Sequence, residues 1–354
     1  MTESISKIKE KDPHKNDPGP NRKPFEFKGD GLEYFKIWMV NILLTILTLG
    51  IYSAWAKVRN NRYFYSNLYL DGHSFEYLAK PLTILKGRVI AIVVFAIYFV
   101  LSQISPIAAI GLPLLLLLFT PWIAVRSLMF SRRMSAYRNV QFRFHGQWKE
   151  AAMALVVWPV LGLLTLGIMF PYALLQLDRF IVRNSAYGTV KFDYRATLKQ
   201  YVVIVLIAIG IILLGGVSLY ALAGVSIVAS VLSLALYASV FIYTIVSFTN
   251  LYYNSALLSK HEMEATLKIW PYTKVQIINF TLIILTLGLY LPAAKVRTTK
   301  YFSDNIIFIA RDSLEGFVVA EKEQVSALGE EPVSYTHLRA HETEADLVCR
   351  LLLE

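Results

Sequence analysis
The sequence predicts a mainly α, multi-pass helical membrane protein with internal repeats and small interfacial β-hairpins. Three observations carry that expectation. First, 56% of the 354 residues are hydrophobic and only 17% are charged, against about 45–50% and 25% in ordinary soluble domains. Second, the apolar residues are clustered. Segments 89–125, 153–177 and 201–248 hold no Lys, Arg, Asp, Glu or His, and roughly 20 such residues suffice to cross a bilayer as a helix. Third, one phrase recurs. "TLGIYSAWAKVR" (48–59) returns as "TLGLYLPAAKVR" (286–297), and a worn copy begins at Thr165.

Residues 1–24 hold four prolines, many charges and no apolar core of a secretory signal. They read as a disordered cytoplasmic tail. A membrane domain is expected over 25–320, divided as 25–141, 142–258 and a partial third copy, 259–320. Each copy opens with a short aromatic strand, as in "FEFKG" (25–29) and "FRFHG" (142–146). Segment A follows and contains Thr-Leu-Gly. A basic, aromatic stretch comes next, and Asp71-Gly72 is a good two-residue hairpin turn. Apolar segments B and C complete the first two copies, near 89–104, 106–129, 200–220 and 223–248. The third copy stops after A and its hairpin. Residues 321–354 read as a further tail. Within it, 333–354 resembles translated sequencing-adapter read-through and holds the one cysteine of the chain, Cys349. Disulfides and thiol chemistry are therefore not expected.

Net charge is +10. The basic residues flank apolar runs rather than forming a basic domain, which favours cytoplasmic loops over nucleic acid. Their placement also bears on the A segments. If all seven segments cross, 12 Lys and Arg fall on one side and 16 on the other. If the A segments turn back, all 28 fall on one side, as the positive-inside rule prefers. Thr-Leu-Gly supplies a way to turn, because glycine ends a helix in a left-handed conformation and threonine bonds a freed carbonyl. Against this, Ile37–Ala56 is an unbroken uncharged run with Trp38 and Trp55 at its ends, like two interface belts. Spanning and re-entrant forms both stay open at this point.

The residues quoted above also carry a family likeness. "FEFKGDGLEYFKIWMVNILLTILTLGIYSAWAKVRNNRYFYSN", followed by "LDGHSFEYLAKPLTILKGR", resembles the YjgN-like family of bacterial inner-membrane proteins. The resemblance runs over about 24–320. It implies a multi-pass inner-membrane protein whose domain is of unknown function, and it brings no catalytic residues.

No acid or base lies mid-segment in the apolar runs, which argues against a proton-coupled pump. Polar candidates for a path or a helix break are Asn41, Thr48, Gly50, Thr165, Gly167, Asn279, Thr286 and Gly288. Candidates for an anionic lipid or interface site are Lys57, Arg59, Arg62, Arg179, Lys295, Arg297 and Lys300, since basic groups beside aromatic rings suit lipid head groups. His73, His145 and His261 are isolated, and "HEMEA" (261–265) lacks the second histidine of a zinc helix. No metal, cofactor, nucleic acid or catalytic constellation is expected. The partners expected are membrane lipids, at the bacterial inner membrane with both termini cytoplasmic. The functions expected are a transporter or channel-like protein for a small or amphiphilic solute, or a non-catalytic protein binding lipids or envelope partners. A lipid head-group enzyme ranks third.

Overall fold
The computed structural model describes residues 21–221 and 226–327. Segment 333–354 and most of the expected N-terminal tail lie outside the described residues. Asn21–Pro24, expected within that tail, instead open strand β1 (Asn21–Phe27). They pair with Ile307–Ala310 near the other end of the chain, and that backbone pairing overrides their polar composition.

Strand β1 leads to α1 (Gly31–Leu47) and α2 (Ser53–Ser66), then to hairpin β2 (Leu68–Leu70) and β3 (His73–Tyr77). Helices α3 (Pro81–Ile104) and α4 (Pro106–Arg133) precede hairpin β4 (Ser135–Tyr137) and β5 (Val140–Phe144). The next helical segment is α5 (Trp148–Ala152), a π turn (Met153–Val157), α6 (Trp158–Leu164) and α7 (Phe170–Arg183). Hairpin β6 (Ser185–Tyr187) and β7 (Val190–Tyr194) leads to α8 (Leu198–Ala221) and α9 (Ser226–Ser255). Hairpin β8 (Ala256–Leu258) and β9 (His261–Ala265), then α10 (Ile269–Leu285), α11 (Leu291–Asp304), strand β10 (Ile306–Ala310) and α12 (Leu314–Ala327) complete the described chain. The boundary expected at 320 falls inside α12.

The small β-hairpins expected from the sequence are present, but they are joined to one another. The ten strands close into a single antiparallel barrel. A two-stranded hairpin is marginal alone, and its open edges are a liability; closure removes both problems. The third copy also ends differently from expectation. After its A segment comes one strand, β10, in place of a hairpin, and it pairs with β1 and seals the ring.

The register decides where the helices go. Phe27 lies opposite Leu68, Tyr77 opposite Ser135, Phe144 opposite Ser185, Tyr194 opposite Ala256, and Ala265 opposite Ile306. Each pair brackets one helical segment. All five segments therefore leave one rim of the barrel and return to that rim on the next strand. Two of them, α3–α4 and α8–α9, are long and apolar enough to cross a membrane, with mean hydropathy between 2.0 and 2.6. The three A segments are shorter helical hairpins.

The Thr-Leu-Gly turn is built alike in all three. The leucine and glycine both take positive φ, from Leu49 (49°) and Gly50 (90°) to Leu287 (50°) and Gly288 (91°). Gly50, Gly167 and Gly288 donate their N–H groups to carbonyls five residues back, at 2.7–2.8 Å, which caps the outgoing helix. The threonine hydroxyl joins the two helices. Thr48 donates to the Leu44 carbonyl at 2.7 Å and accepts from the Tyr52 N–H at 2.9 Å. Thr165 and Thr286 repeat both bonds.

At the helix side of the barrel, the glycine of "FxFxG" is explained by contact. A Cβ on Gly146 would meet the Phe144 ring at 2.5 Å and the Phe180 ring at 2.9 Å. Gly87, in α3, has open space around it. At the opposite end, α12 covers the barrel. Leu314, Phe317 and Val318 pack onto Tyr187, Leu258 and Phe308. The Glu321 carboxylate accepts from the Thr189 N–H at 2.8 Å and its hydroxyl at 2.9 Å. His261, 2% exposed, lies edge-on to Phe317 at 4.9 Å. Its Nδ1 accepts from the Arg311 N–H at 3.3 Å.

Two predictions follow from these contacts. Gly146→Ala should lower unfolding stability in detergent by about 1–3 kcal/mol, the ordinary cost of overpacking. Gly87→Ala should be neutral or stabilising by about 0.5–1 kcal/mol, the helix-propensity gain. The second concerns pH. Burial holds the His261 imidazole below its usual range, with Asp312 opposing and Lys260 reinforcing that shift. The undocked state therefore binds more protons, and the contribution of His261 to docking α12 is lost progressively as pH falls below the ordinary imidazole value of about 6.5 toward the lowered one. Hydrogen exchange of 314–327, corrected for intrinsic rate, should rise on acidification and should rise less in His261→Gln.

Candidate functional site
The barrel lumen holds a cavity of about 360 Å³. Its girdle has one large side chain from every strand, set in facing pairs by the register. Phe25 faces Leu70, Phe75 faces Tyr137, Phe142 faces Tyr187, Phe192 faces Leu258, and Met263 faces Phe308. All ten line the cavity. They alternate with outward residues because strand side chains have a period of two. The hydroxyls are taken up by backbone. Tyr137 donates to the Leu70 carbonyl at 2.7 Å, and Tyr187 to the Tyr137 carbonyl at 3.0 Å. Burial pushes Tyr137 up to about 12, so it stays a neutral donor.

The two ends of the lumen differ. Leu314, Phe317 and Val318 of α12 close the hairpin-turn end. The helix-side end is bounded by Tyr65, Arg132, Ser135 and Tyr253. There the Tyr65 and Ser135 hydroxyls meet at 3.0 Å. Arg132 is the one charged residue among the described residues lining the cavity.

A second cavity, about 560 Å³, lies between α9, α10 and α11. Its wall includes Gln276, Asn279, Lys295, Thr298 and Thr299, and it shares Tyr253 with the lumen. A third, also about 560 Å³, is basic. Arg126, Arg133, Arg143 and His145 line it, and Arg126 sits over the Trp122 ring at 5.6 Å. Burial holds His145 below its usual range, and the Lys191 and Arg143 charges add to that.

The basic residues singled out in the sequence do not converge. Lys57, Arg59 and Arg62 lie exposed on α2. Arg179, on α7, donates to the Ala196 carbonyl at 3.1 Å, and its buried Nε has no partner. Lys295 alone bridges two A hairpins, lying 4.3 Å from the Phe64 ring centre and 5.7 Å from that of Tyr34. Arg297 donates to the Asn279 Oδ1 at 3.4 Å, and Lys300 is exposed. Tyr63 and Tyr301 turn inward rather than outward to head groups. Tyr63 accepts from the Asp30 N–H and donates to its carbonyl, both at 2.8 Å. Tyr301 holds Lys268 in the same way.

The polar candidates divide similarly. Thr48, Gly50, Thr165, Gly167, Thr286 and Gly288 form the hairpin turns. Asn41 donates to the Asn60 Oδ1 at 2.9 Å, and Asn279 to the Thr298 hydroxyl at 3.1 Å. Each asparagine thus ties an outgoing helix to its own returning helix, and Asn279 also lines the second cavity.

Sequence reading missed the lumen girdle, Arg132 and the Arg126–Arg133 groove. A signal for the girdle was present. Strands "HSFEY", "VQFRF", "VKFDY" and "HEMEA" share a large apolar residue at their third position. No local signal marked Arg132, whose role depends on where α4 ends.

Comparison with known proteins places these features in a family. A family model described as "Bacterial protein of unknown function (DUF898)" matches residues 22–334. "Inner membrane protein YjgN" of Escherichia coli strain K12 is 34% identical over 152 residues, covering 41% of this chain and 37% of that protein. The protein of the same name from Escherichia coli O157:H7 is 33% identical over 147 residues, covering 41% and 37%. That of Salmonella typhimurium strain LT2 is 34% identical over 147 residues, covering 40% and 36%. The aligned part of the chain spans little more than a third of these relatives. No solved structure matches. With four helices among the described residues apolar enough to cross a membrane and a family model matched over most of its length, the chain belongs to the bacterial DUF898 family of unknown function.

Proposed function
We propose that this chain is a multi-pass inner-membrane protein that binds membrane amphiphiles and carries out no chemistry on them. In this reading α3–α4 and α8–α9 cross the bilayer, the three A hairpins re-enter from the barrel side, and the barrel lies in the cytoplasm. One observation carries the arrangement: every helical segment leaves and returns at a single barrel rim. The positive-inside rule then puts the basic connections, and the barrel with them, on the cytoplasmic side. Both ends of the described chain, β1 and α12, belong to that barrel, which supports cytoplasmic termini.

The hairpin tips support insertion into lipid. Leu49, Leu166 and Leu287 are each 95% exposed and hold a positive φ that leucine rarely adopts. In water, asparagine or glycine would suit such a tip better. An apolar surrounding gives the leucine a reason to be there. Helix α1, at 17 residues, is roughly 25 Å long, short of the ~30 Å hydrocarbon core. The backbone groups freed at the turn are bonded locally by the threonine and glycine, which lowers the cost of placing the turn in an apolar surrounding.

Binding of an amphiphile is favoured over an aqueous channel because the lumen is ringed by large apolar side chains and stopped by α12. The groove holding Asn279 and Lys295 favours a second reading, in which the amphiphile is moved as well as bound.

Cysteine labelling tests the arrangement, with Cys349→Ser as background. An impermeant maleimide added to intact spheroplasts should modify Ser105→Cys, in the α3–α4 turn. It should modify Gly72→Cys and Asn139→Cys only after permeabilisation, and Leu49→Cys in neither case. Labelling of Gly72→Cys from outside would overturn the topology.

A further inference from the structure
We infer that the barrel lumen is a binding site for the hydrocarbon chain of a single-chain amphiphile with an anionic head, the chain lying in the aromatic girdle and the head at Arg132. This rests on the membrane-side reading of the barrel rim given above.

The cavity itself asks for an occupant. Protein interiors are close-packed, with few voids larger than a water molecule, and an apolar void costs stability in proportion to its volume. A cavity of about 360 Å³ is within the range of small-molecule sites. Water is a poor filler here, because a buried water needs several polar partners. The Tyr137 and Tyr187 hydroxyls are already turned to backbone carbonyls, so the girdle presents ring faces rather than donors. What fits is an apolar chain.

The ends fix the orientation and the kind of head. Leu314, Phe317 and Val318 close the far end with apolar groups, which suits a chain terminus. The helix-side mouth is lined by Tyr65, Arg132, Ser135 and Tyr253, with no carboxylate among the described residues lining the cavity, and the Arg132 guanidinium is hydrogen-bonded to the Tyr252 hydroxyl. A guanidinium has further donors for a carboxylate or phosphate and discriminates against a cation. Tyr253 also walls the groove between α9, α10 and α11. That groove lies beside a crossing helix pair, so the route in is lateral, from the bilayer, past Tyr253. Lys295, Thr298 and Asn279 offer a polar edge along which a head group travels while the chain stays in apolar surroundings.

The lumen is shaped for one chain. Ten large side chains surround a cavity of about 360 Å³, room for a single hydrocarbon chain. A diacyl lipid would have to leave its second chain in the groove. The chemistry shared by fatty acids and lysophospholipids, one chain and one anionic head, is therefore the class proposed.

Photo-crosslinking tests this on the full chain in nanodiscs of neutral phosphatidylcholine. The probe is a palmitic acid analogue with a mid-chain diazirine. Mapped adducts should fall on lumen-lining residues of 137–142, 187–192 and 258–263, and excess palmitate should suppress them at least tenfold. Suppression by lysophosphatidylglycerol instead of palmitate would name the lysophospholipid as the source; suppression by both would support the shared class. Arg132→Gln should reduce lumen adducts roughly tenfold for the acid and leave those of the matching diazirine alcohol unchanged. Leu258→Trp, which fills the lumen, should remove lumen adducts while adducts on the lipid-facing side of 89–120 persist as an internal control. If Leu258→Trp does not fold, Met263→Trp serves, with an unchanged thermal midpoint required. Adducts confined to lipid-facing helices in the wild type would overturn the proposal. So would equal lumen labelling by acid in wild type and Arg132→Gln. The adduct map does not depend on which side of the membrane the barrel occupies. Lumen adducts together with outside labelling of Gly72→Cys would keep the site and reject the topology.

Discussion

The pairing of β1 with β10 is the interaction on which the rest depends. It joins Asn21–Pro24 to Ile307–Ala310 and turns five strand pairs into a ring without edges. Buried backbone groups must find partners, and open edges invite pairing with other chains. Closure answers both demands at once. It also has a consequence beyond stability. In a closed antiparallel ring of this order, the two strands that bracket a helical segment are neighbours, so the segment must come back to where it started. The return of every helical segment to one rim is thus dictated by hydrogen bonds in the barrel.

Within that constraint, length sets the behaviour of each segment. Helices of 24 to 30 residues are long enough to reach across a bilayer. Helices of 17 residues or fewer are shorter than the hydrocarbon core, and each A pair reverses at its Thr-Leu-Gly turn. Reversal in hydrocarbon is tolerable only if the backbone groups freed at the turn are bonded locally. Thr-Leu-Gly does this with three residues. The threonine hydroxyl serves a carbonyl of one helix and an N–H of the next, the glycine caps, and the leucine fills the tip. Asn41 with Asn60, and Asn279 with Thr298, then hold the two legs together. Such bonds are worth about 0.6 kcal/mol on average in membrane proteins, enough to fix pairing without governing the fold.

Much of this was legible in the sequence and some was not, for identifiable reasons. The uncharged runs marked the helices that are long and apolar enough to cross a membrane, and the charge count favoured A segments that turn back without deciding it. The Thr-Leu-Gly bonds were readable because they are local: donor and acceptor lie within five residues. The Asp71-Gly72 turn was readable for the same reason. Barrel closure was not, because it pairs residues almost 290 positions apart, and Asn21–Pro24 look like disordered chain until Phe308 and Ala310 are beside them. The girdle lay between these extremes. Its residues recur in strands of three to seven residues, too short for periodicity to single them out, and only ring closure aims all ten at one axis. Arg132 had no local mark at all, since its meaning comes from a lumen that no single segment builds. The basic and aromatic stretch after each A segment was read as facing lipid. Tyr63 and Tyr301 instead clamp the start of their own hairpins, because a buried hydroxyl must be satisfied and the backbone at Asp30 and Lys268 is within reach.

Barrel closure can be measured directly by disulfide formation between strands from opposite ends of the chain. With Cys349→Ser as background, Arg22→Cys and Ile309→Cys are placed at partnered positions of β1 and β10. Mild oxidation should link them within one molecule, seen as a mobility shift reversed by reductant. The pair Arg22→Cys and Ile307→Cys, out of register by two residues on the same face, should link far less. Equal linkage of both pairs, or linkage only between molecules, would contradict a closed barrel, and with it the argument that every helical segment returns to one side.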